Sequence, residues 1–255
     1  MSHPYFFTGP DCIISGDKVI IKGRDLNHLA NVLRARKGEF IEVSDNERYR
    51  YKTSILSISR NEALLAIEYK TVIEKKVPEL ALFLSILKRN AMELAIQKTT
   101  EIGIDKIVPV YTRRAVMGKT DLEKIEEKVS RWQKIAEEAS RQCKRDFIPE
   151  ILKPLWINEI NVSEYDIFYL LCEREKDGNN STLNHSGAKT GARKRKIAYI
   201  IGPEGGFEWE EILLLESKGC LRINLGENIL RSETASIYFL SVLDFIVRKE
   251  MNLTI

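Results

Sequence analysis

The chain has 255 residues, of which 44% are hydrophobic and 30% charged, and its formal net charge at pH 7 is +3. This composition supports a folded core and excludes an intrinsically disordered chain, while the length suits one large domain or two small ones. The longest apolar stretch, around residues 80–87, is far below the ~20 residues that a membrane-spanning helix needs. Residues 1–7 lack the basic and apolar segments of a signal peptide, so we expect a cytoplasmic protein without a membrane partner.

The first ~70 residues are predicted to be mostly β, because branched and aromatic runs alternate there with turn signals. A short helix is expected at Leu26–Arg34, with Asp25 as its cap. Residues 1–77 hold 13 Lys and Arg against 10 Asp and Glu, a small excess of the kind that a polyanionic partner favours. The predicted strands are Val19–Ile21, Phe40–Ser44, Tyr49–Ser57 and Ala63–Tyr69.

Strands and helices alternate after Pro78, which predicts a largely parallel sheet covered on both faces. The helix predicted over Asp121–Cys143 has one apolar stripe at helical spacing, typical of a core or partner surface. Other helices are expected at Asn90–Ile102 and from about Glu233, the last carrying Ile237, Tyr238, Val242 and Ile246. The predicted strands are Leu80–Ile86, Ile107–Val110, Ile167–Cys172, Ile197–Ile201 and Leu221–Leu225.

A polar segment, Glu173–Lys196, interrupts this alternation and ends in a basic cluster. It is either a solvated mobile loop or a basic flap over an RNA substrate. The four cysteines (Cys12, Cys143, Cys172 and Cys220) form no C-x-x-C pair, and the chain has only three histidines. Zinc sites need clustered thiolate or imidazole ligands, so we expect reduced, mostly buried thiols and no metal site.

Two glycine-bearing segments, starting at Gly202 and Gly226, each follow a predicted buried strand and precede a helical segment. Open α/β sheets bind ligands at the carboxyl ends of their strands, which predicts one shared pocket. Neither segment has the order of a P-loop or a Rossmann fingerprint. Backbone groups there could bind an adenine edge and a ribose, with Ile201, Leu225, Ile229 and Leu230 around the base. The alternative is that both segments are only tight turns.

The motif IGPEGGF, followed by LGENILRSETA, closely resembles the motifs of the RsmE family of ribosomal RNA methyltransferases, in the SPOUT superfamily. The resemblance implies a PUA-like RNA-binding β-barrel over residues 1–73 and a SPOUT α/β trefoil-knot methyltransferase domain over residues 78–255. It also implies S-adenosylmethionine as the donor, N3 of a uridine in 16S ribosomal RNA as the target, and a homodimer. Further family-like positions are His28, Lys88, Glu93, Gln97, Trp132, Glu138, Gln142 and Pro149.

The resemblance also implies which residues act. The donor site would comprise Leu171, Gly202, Glu204, Gly205, Gly206, Leu225, Gly226, Ile229, Leu230, Arg231 and Thr234. Candidate phosphate contacts are Arg34, Arg36, Lys37, Lys88, Arg141 and Arg145.

Two catalytic roles remain open among these residues. Arg231 either stabilises a developing uridine anion or pairs with Glu233, and Glu204 either removes the N3 proton or holds its turn through backbone amides. Two other functions also remain open: a non-catalytic RNA-binding protein with a vestigial knot pocket, and a SPOUT methyltransferase acting on transfer RNA.

Overall fold

The computed structural model describes residues 3–75, 77–115, 124–172 and 196–250. The chain divides into two compact units. The first comprises Met1–Lys75 and Ser140–Ile148, and the second comprises Lys76–Ala139 and Pro149–Ile255. The basic segment 173–195 and the predicted helix start at Asp121 lie outside the described residues. No helix in the described ranges has the length and apolar character needed to cross a membrane.

The first unit is a curled six-stranded sheet in the order β1-β4-β5-β6-β3-β2. Strand β1 pairs parallel with β4, and the other neighbours pair antiparallel. Alternate side chains point to one face, so Phe6, Ile41, Val43, Ile55 and Leu65 form a fully buried core. The strands are β1 (Tyr5–Phe7), β2 (Cys12–Ser15), β3 (Lys18–Ile21), β4 (Phe40–Ser44), β5 (Tyr49–Ile58) and β6 (Ala63–Val72).

The helical stretch of this unit begins and ends earlier than predicted, and Asp25 does not cap it. Helix α1 spans Gly23–Asn27 and continues as a π-helical turn over His28–Val32. Its cap position is Lys22, and Asp25 lies inside the helix with 4% exposure. Arg141 donates to both Asp25 carboxylate oxygens, at 2.8 and 3.4 Å. The phosphate contact at Arg141 remains a prediction, and its guanidinium forms an ion pair inside the first unit.

The second unit is a seven-stranded sheet in the order β10-β8-β7-β12-β11-β13, with β9 also paired to β8. Every pair is parallel. Its strands are β7 (Glu79–Ser85), β8 (Lys106–Tyr111), β9 (Glu150–Ile151), β10 (Leu155–Trp156), β11 (Ile167–Leu171), β12 (Lys196–Ile201) and β13 (Leu221–Ile223). The helices are α2 (Arg89–Ile102), α3 (Ile125–Cys143), α4 (Trp209–Ser217) and α5 (Ser232–Glu250).

Apolar cores lie on both faces of this sheet, because successive strand residues point to opposite sides. One core contains Leu82, Tyr199 and residues of α2, α3 and α5. The other contains Phe83, Ile200 and Leu215 of α4. The α3 stripe predicted to be core or a partner surface is core, since Trp132, Ala136 and Ala139 are buried.

Three features of these elements differ from the sequence expectation. Strands β1, β2, β9 and β10 were not predicted, whereas the helical segment expected after the Gly202 motif is α4. The buried face of α5 also consists of Phe239, Leu240 and Leu243, whereas the predicted Tyr238 is 49% exposed. Predicted strand Leu221–Leu225 ends at Ile223, and the two following residues belong to a turn.

All four cysteines are free, as predicted. Cys12 and Cys220 are buried, whereas Cys143 and Cys172 are only partly so. Burial raises the pKa of both the Cys12 and the Cys220 thiol to about 12, which keeps them protonated and unreactive at neutral pH.

Replacing Asp25 by alanine should lower the free energy of unfolding by about 3 kcal/mol, because it leaves the poorly exposed Arg141 guanidinium without its carboxylate. The measurement is urea unfolding of the full chain. The matched control is Glu47→Ala, an exposed acid in the turn between β4 and β5 of the same unit, which should change stability by less than about 0.5 kcal/mol. Equal stabilities for the two variants would contradict a structural role for the Asp25–Arg141 pair.

Candidate functional site

Two turns enclose the candidate site at the carboxyl edge of the parallel sheet. We call residues 202–208, after β12, the first turn, and residues 224–231, after β13, the second turn. Strand β11 pairs with both β12 and β13, so the two turns leave the sheet on either side of one strand. A cavity of about 480 Å³ lies between them. The shared pocket predicted from the glycine segments is therefore present as a cavity.

A chain of buried hydroxyl groups joins the two turns. The Ser232 hydroxyl, at the start of α5, donates to the Gly202 carbonyl oxygen at 2.8 Å. The Ser236 hydroxyl donates to the Ser232 carbonyl oxygen at 2.8 Å, and the Tyr199 hydroxyl donates to the Ser236 carbonyl oxygen at 3.1 Å. These bonds fix the end of the second turn against β12 and the first turn.

Glycine is required at the two turns for different reasons. A Cβ built on Gly202 would lie 3.1 Å from the Phe207 ring, which is tighter than ordinary packing. Gly206 and Gly226 have φ values of +72° and +126°, a region that L side chains rarely adopt. The Gly206 amide closes the first turn by donating to the Pro203 carbonyl at 2.9 Å. These positions leave peptide groups uncovered beside the cavity.

Arg114, three residues after β8, also lines the cavity. Its Nε and Nη2 donate to the two Glu208 carboxylate oxygens at 2.8 and 3.0 Å, and its Nη1 donates to the Gly205 carbonyl at 2.8 Å. The hydrogen bonds with Glu208 raise the pKa of Arg114 and lower the pKa of the Glu208 carboxyl. Both groups therefore remain charged at neutral pH.

Most residues predicted for the donor site line this cavity, and three do not. Glu204 is exposed, and its carboxylate accepts the Lys88 backbone N–H at 3.4 Å. Arg231 is exposed at the start of α5, and Thr234 is exposed on its first turn. The predicted residues that do line the cavity are Leu171, Gly202, Gly205, Gly206, Leu225, Gly226, Ile229 and Leu230, together with Ile201.

Other lining residues were not predicted. Arg114 was missed because it is 91 positions from Gly205, although it directly follows a predicted strand whose carboxyl end lies at this edge. Asn224 and Ser232 lie within or beside the second motif, so the motif itself was the available signal. The remaining unpredicted lining residues are Cys172, Pro203, Phe207, Ile212, Glu227, Asn228 and Ala235.

The predicted phosphate contacts are divided between the two units. Arg34, Arg36 and Lys37 are exposed beside the π-helical turn of the first unit, where Arg34 has a φ of +54°. Lys88 is exposed at the start of α2 in the second unit, and Arg145 is half-buried in the first. Arg141 is paired with Asp25 in the first unit, as described above.

A second and larger cavity, of about 580 Å³, lies in the same unit. It is lined by Tyr111, Val129 and Ile151 among others, and it contains no residue of either glycine turn. Its lining residues come from α3 and from the ends of neighbouring strands, so the cavity between the turns fits the sequence motifs better.

Comparison with known proteins identifies the family. An RNA methyltransferase PUA domain matches residues 21–68, and an RNA methyltransferase domain matches residues 74–244. The ribosomal RNA small subunit methyltransferase E of Mesomycoplasma hyopneumoniae is 34% identical over 223 residues, 87% of this chain and 92% of that protein. This chain belongs to that family of RNA methyltransferases. The resemblance predicted from the glycine motifs, and the enzyme class it implied, are confirmed.

Other members of the methyltransferase family support the fold. The Bacillus subtilis ribosomal RNA small subunit methyltransferase E is 26% identical, over 88% of this chain and 89% of that protein. A Legionella pneumophila protein solved in complex with the bound cofactor SAM is 27% identical, with a TM-score of 0.82 over 96% of this chain and 98% of that one. The predicted combination of an N-terminal PUA-like β unit with a C-terminal parallel-sheet unit is confirmed, and the trefoil knot remains an expectation.

Proposed function

We propose that this protein transfers a methyl group from S-adenosylmethionine to N3 of a uridine in 16S ribosomal RNA. The single observation that carries the proposal is the cavity between the two glycine turns, in a chain of this methyltransferase family. The Legionella relative was solved with SAM, and the Mesomycoplasma and Bacillus relatives are named for the small ribosomal subunit. Those names favour ribosomal over transfer RNA.

The cavity residues fit the donor in size and chemistry. A volume of about 480 Å³ is within the range of ~300–1,000 Å³ typical of small-molecule pockets. Ile201, Leu225 and Leu230 offer an apolar surface for a nucleobase, and the peptide groups around Gly202 and Gly226 offer donors and acceptors for polar edges. These are the groups that would hold the adenosine part of the donor.

Arg231 is the catalytic residue that we propose to act on the uridine, which accepts the methyl group. When bound, S-adenosylmethionine supplies an electrophilic methyl group. Uridine N3 carries a proton that it loses in solution only at alkaline pH, so the enzyme must stabilise the resulting anion. Arg231 is exposed and lies between Leu230 and Ser232, both of which line the cavity. Its fork of N–H donors suits an anionic uracil edge. Within the described residues, Arg231 forms no ion pair with Glu233.

Glu204 is the proposed base, because its carboxylate is exposed between two residues that line the cavity. The Lys88 backbone N–H donates to its Oε1 at 3.4 Å, and a carboxylate has further acceptor capacity that can face the substrate. The target edge is masked in a duplex, which requires an unpaired or flipped-out uridine.

The proposed division of labour gives RNA binding to residues 1–73 and methyl transfer to residues 78–255. The proposed phosphate contacts are Arg34, Arg36, Lys37, Lys88, Arg141 and Arg145. We also propose a cytoplasmic homodimer. The apolar side chains Trp209, Leu213, Tyr238 and Phe245, each at least 45% exposed on α4 and α5, favour contact with a second subunit.

The function is tested by mass mapping of modified nucleosides in ribosomal RNA from cells that lack this gene. Loss of one N3-methyluridine from 16S RNA, restored by the wild-type gene, is the expected result. An unchanged 16S modification pattern, or loss of a methyl group from transfer RNA, would refute the proposed substrate.

Replacing Gly226 by valine should raise the dissociation constant for S-adenosylmethionine by more than about tenfold, because a side chain at φ +126° forces the second turn to move. The matched control is Gly219→Val, since Gly219 has a φ of +99° but does not line the cavity. Calorimetry should find the donor affinity of the control within about twofold of wild type. Equal losses in both variants would contradict a donor site at the second turn.

Replacing Arg231 by alanine should lower kcat by about 100-fold while leaving the dissociation constant for the donor unchanged, because the residue would act on the developing anion. Single-turnover methylation of 16S RNA and calorimetry measure the two quantities separately. Lys249→Ala removes a cation from the other end of α5 and serves as the control. Parallel losses of turnover and donor affinity in Arg231→Ala would assign that residue to the structure of the turn.

A further inference from the structure

Among the residues that the structure describes, two that line the cavity carry a charge, Arg114 and Glu227. Glu227 is exposed on the second turn, whereas Arg114 is tied to the first turn by three hydrogen bonds. A guanidinium has five N–H groups, so the bonds to Glu208 and Gly205 leave two N–H groups for another acceptor. Arg114 is thus a cation at the wall of the cavity with unused donor capacity.

The position of Arg114 is fixed by its surroundings. Its Cδ and Cβ lie 3.5 and 3.6 Å from where a Gly205 side chain would begin, so its stem packs on the first turn. The neighbouring Arg113 backbone N–H donates to the buried Glu211 carboxylate at 2.8 Å. Glu211 also accepts the Glu208 backbone N–H at 2.9 Å, which holds the residue that pairs with Arg114. The guanidinium is therefore preorganised before any ligand binds.

Charge decides what this guanidinium can bind. The donor carries a positive sulfonium, which an uncompensated arginine would repel, and Glu208 offsets that repulsion. The donor also carries an α-carboxylate, and arginine binds carboxylates through its planar fork of N–H groups. No other cationic side chain lines the part of the cavity that the structure describes.

We propose that Arg114 is a specificity-determining residue that binds the α-carboxylate of the methyl donor through its two remaining N–H groups. The assignment rests on the proposed function, because it takes S-adenosylmethionine as the donor. It makes Arg114 the group that distinguishes the complete donor from related nucleosides that lack the amino-acid portion.

The test compares two ligands that share an adenosine and a thioether. S-adenosylhomocysteine has the α-carboxylate, whereas 5′-methylthioadenosine lacks the amino-acid portion. Calorimetry gives the ratio of their dissociation constants for the wild-type chain, Arg114→Ala and Arg114→Lys. The matched control is Arg113→Ala, whose guanidinium is paired with Glu210 at 3.4 Å and does not line the cavity.

Wild type should prefer S-adenosylhomocysteine, and Arg114→Ala should reduce that preference by about tenfold or more, the effect of losing a charge-assisted hydrogen bond. The affinity of Arg114→Ala for 5′-methylthioadenosine should differ little from that of the wild-type chain. Arg114→Lys should retain part of the preference, because it keeps the charge without the fork, and Arg113→Ala should retain all of it. Glu208→Gln, which keeps the guanidinium, should also preserve the preference for the carboxylate.

An unchanged preference in Arg114→Ala would exclude a carboxylate contact and overturn the assignment. If both affinities then fall equally, Arg114 is a structural residue, and if RNA binding weakens instead, it is a phosphate contact. Failure of the wild-type chain to bind either ligand would instead refute the proposed function itself. If Arg114→Ala does not fold, the Arg114→Lys ratio decides the question, and an undiminished preference in that variant would overturn the assignment.

Discussion

The hydrogen bond from the Ser232 hydroxyl to the Gly202 carbonyl is the contact on which the site depends. It joins two turns whose residues are 30 positions apart, and both groups are buried. Breaking it would leave a buried carbonyl without its partner, at a cost of about 1–3 kcal/mol. The bond therefore sets the distance between the two turns. The hydrogen bonds of Ser236 and Tyr199 connect this contact to the core of the sheet.

The charged side chains proposed to act on the uridine lie apart from the apolar wall of the cavity, and the two places match the acceptor and the donor of the proposed reaction. The cavity wall consists mainly of peptide groups and apolar side chains, and its buried positions carry no carboxylate among the described residues. Glu204 and Arg231 lie instead on the exposed positions next to that wall. Such an arrangement suits a donor held by its nucleoside and a charged acceptor edge that enters from solvent. Arg114 does not disturb it, because Glu208 neutralises its charge.

Local sequence patterns predicted the elements that build the site. The ends of β11 and β12 lie within one residue of the predicted ends, and each predicted turn contains a glycine with positive φ. The helical segment expected after the first turn is α4, but its bounds were not predicted, because Ile212, Leu213, Leu214 and Leu215 are consecutive and so lack helical spacing. Strands β1 and β2 were not predicted, although β3, which also has only four residues, was.

Local sequence patterns did not predict contacts between residues that are far apart in the chain. Asp25 was predicted as a cap from its position before an apolar segment, yet its partner Arg141 is 116 positions away. Arg114 likewise reaches Gly205 across 91 positions. Both pairings follow from the way the chain folds rather than from any short motif, so a single sequence does not contain a local signal for them.

The most direct measurement of the central claim is a crystal structure of the full chain with S-adenosylhomocysteine bound. The account predicts the adenosine between residues 202–206 and 224–230, in contact with peptide groups of both turns. A ligand bound instead in the larger cavity beside Tyr111, Val129 and Ile151, with the space between the turns empty, would contradict it.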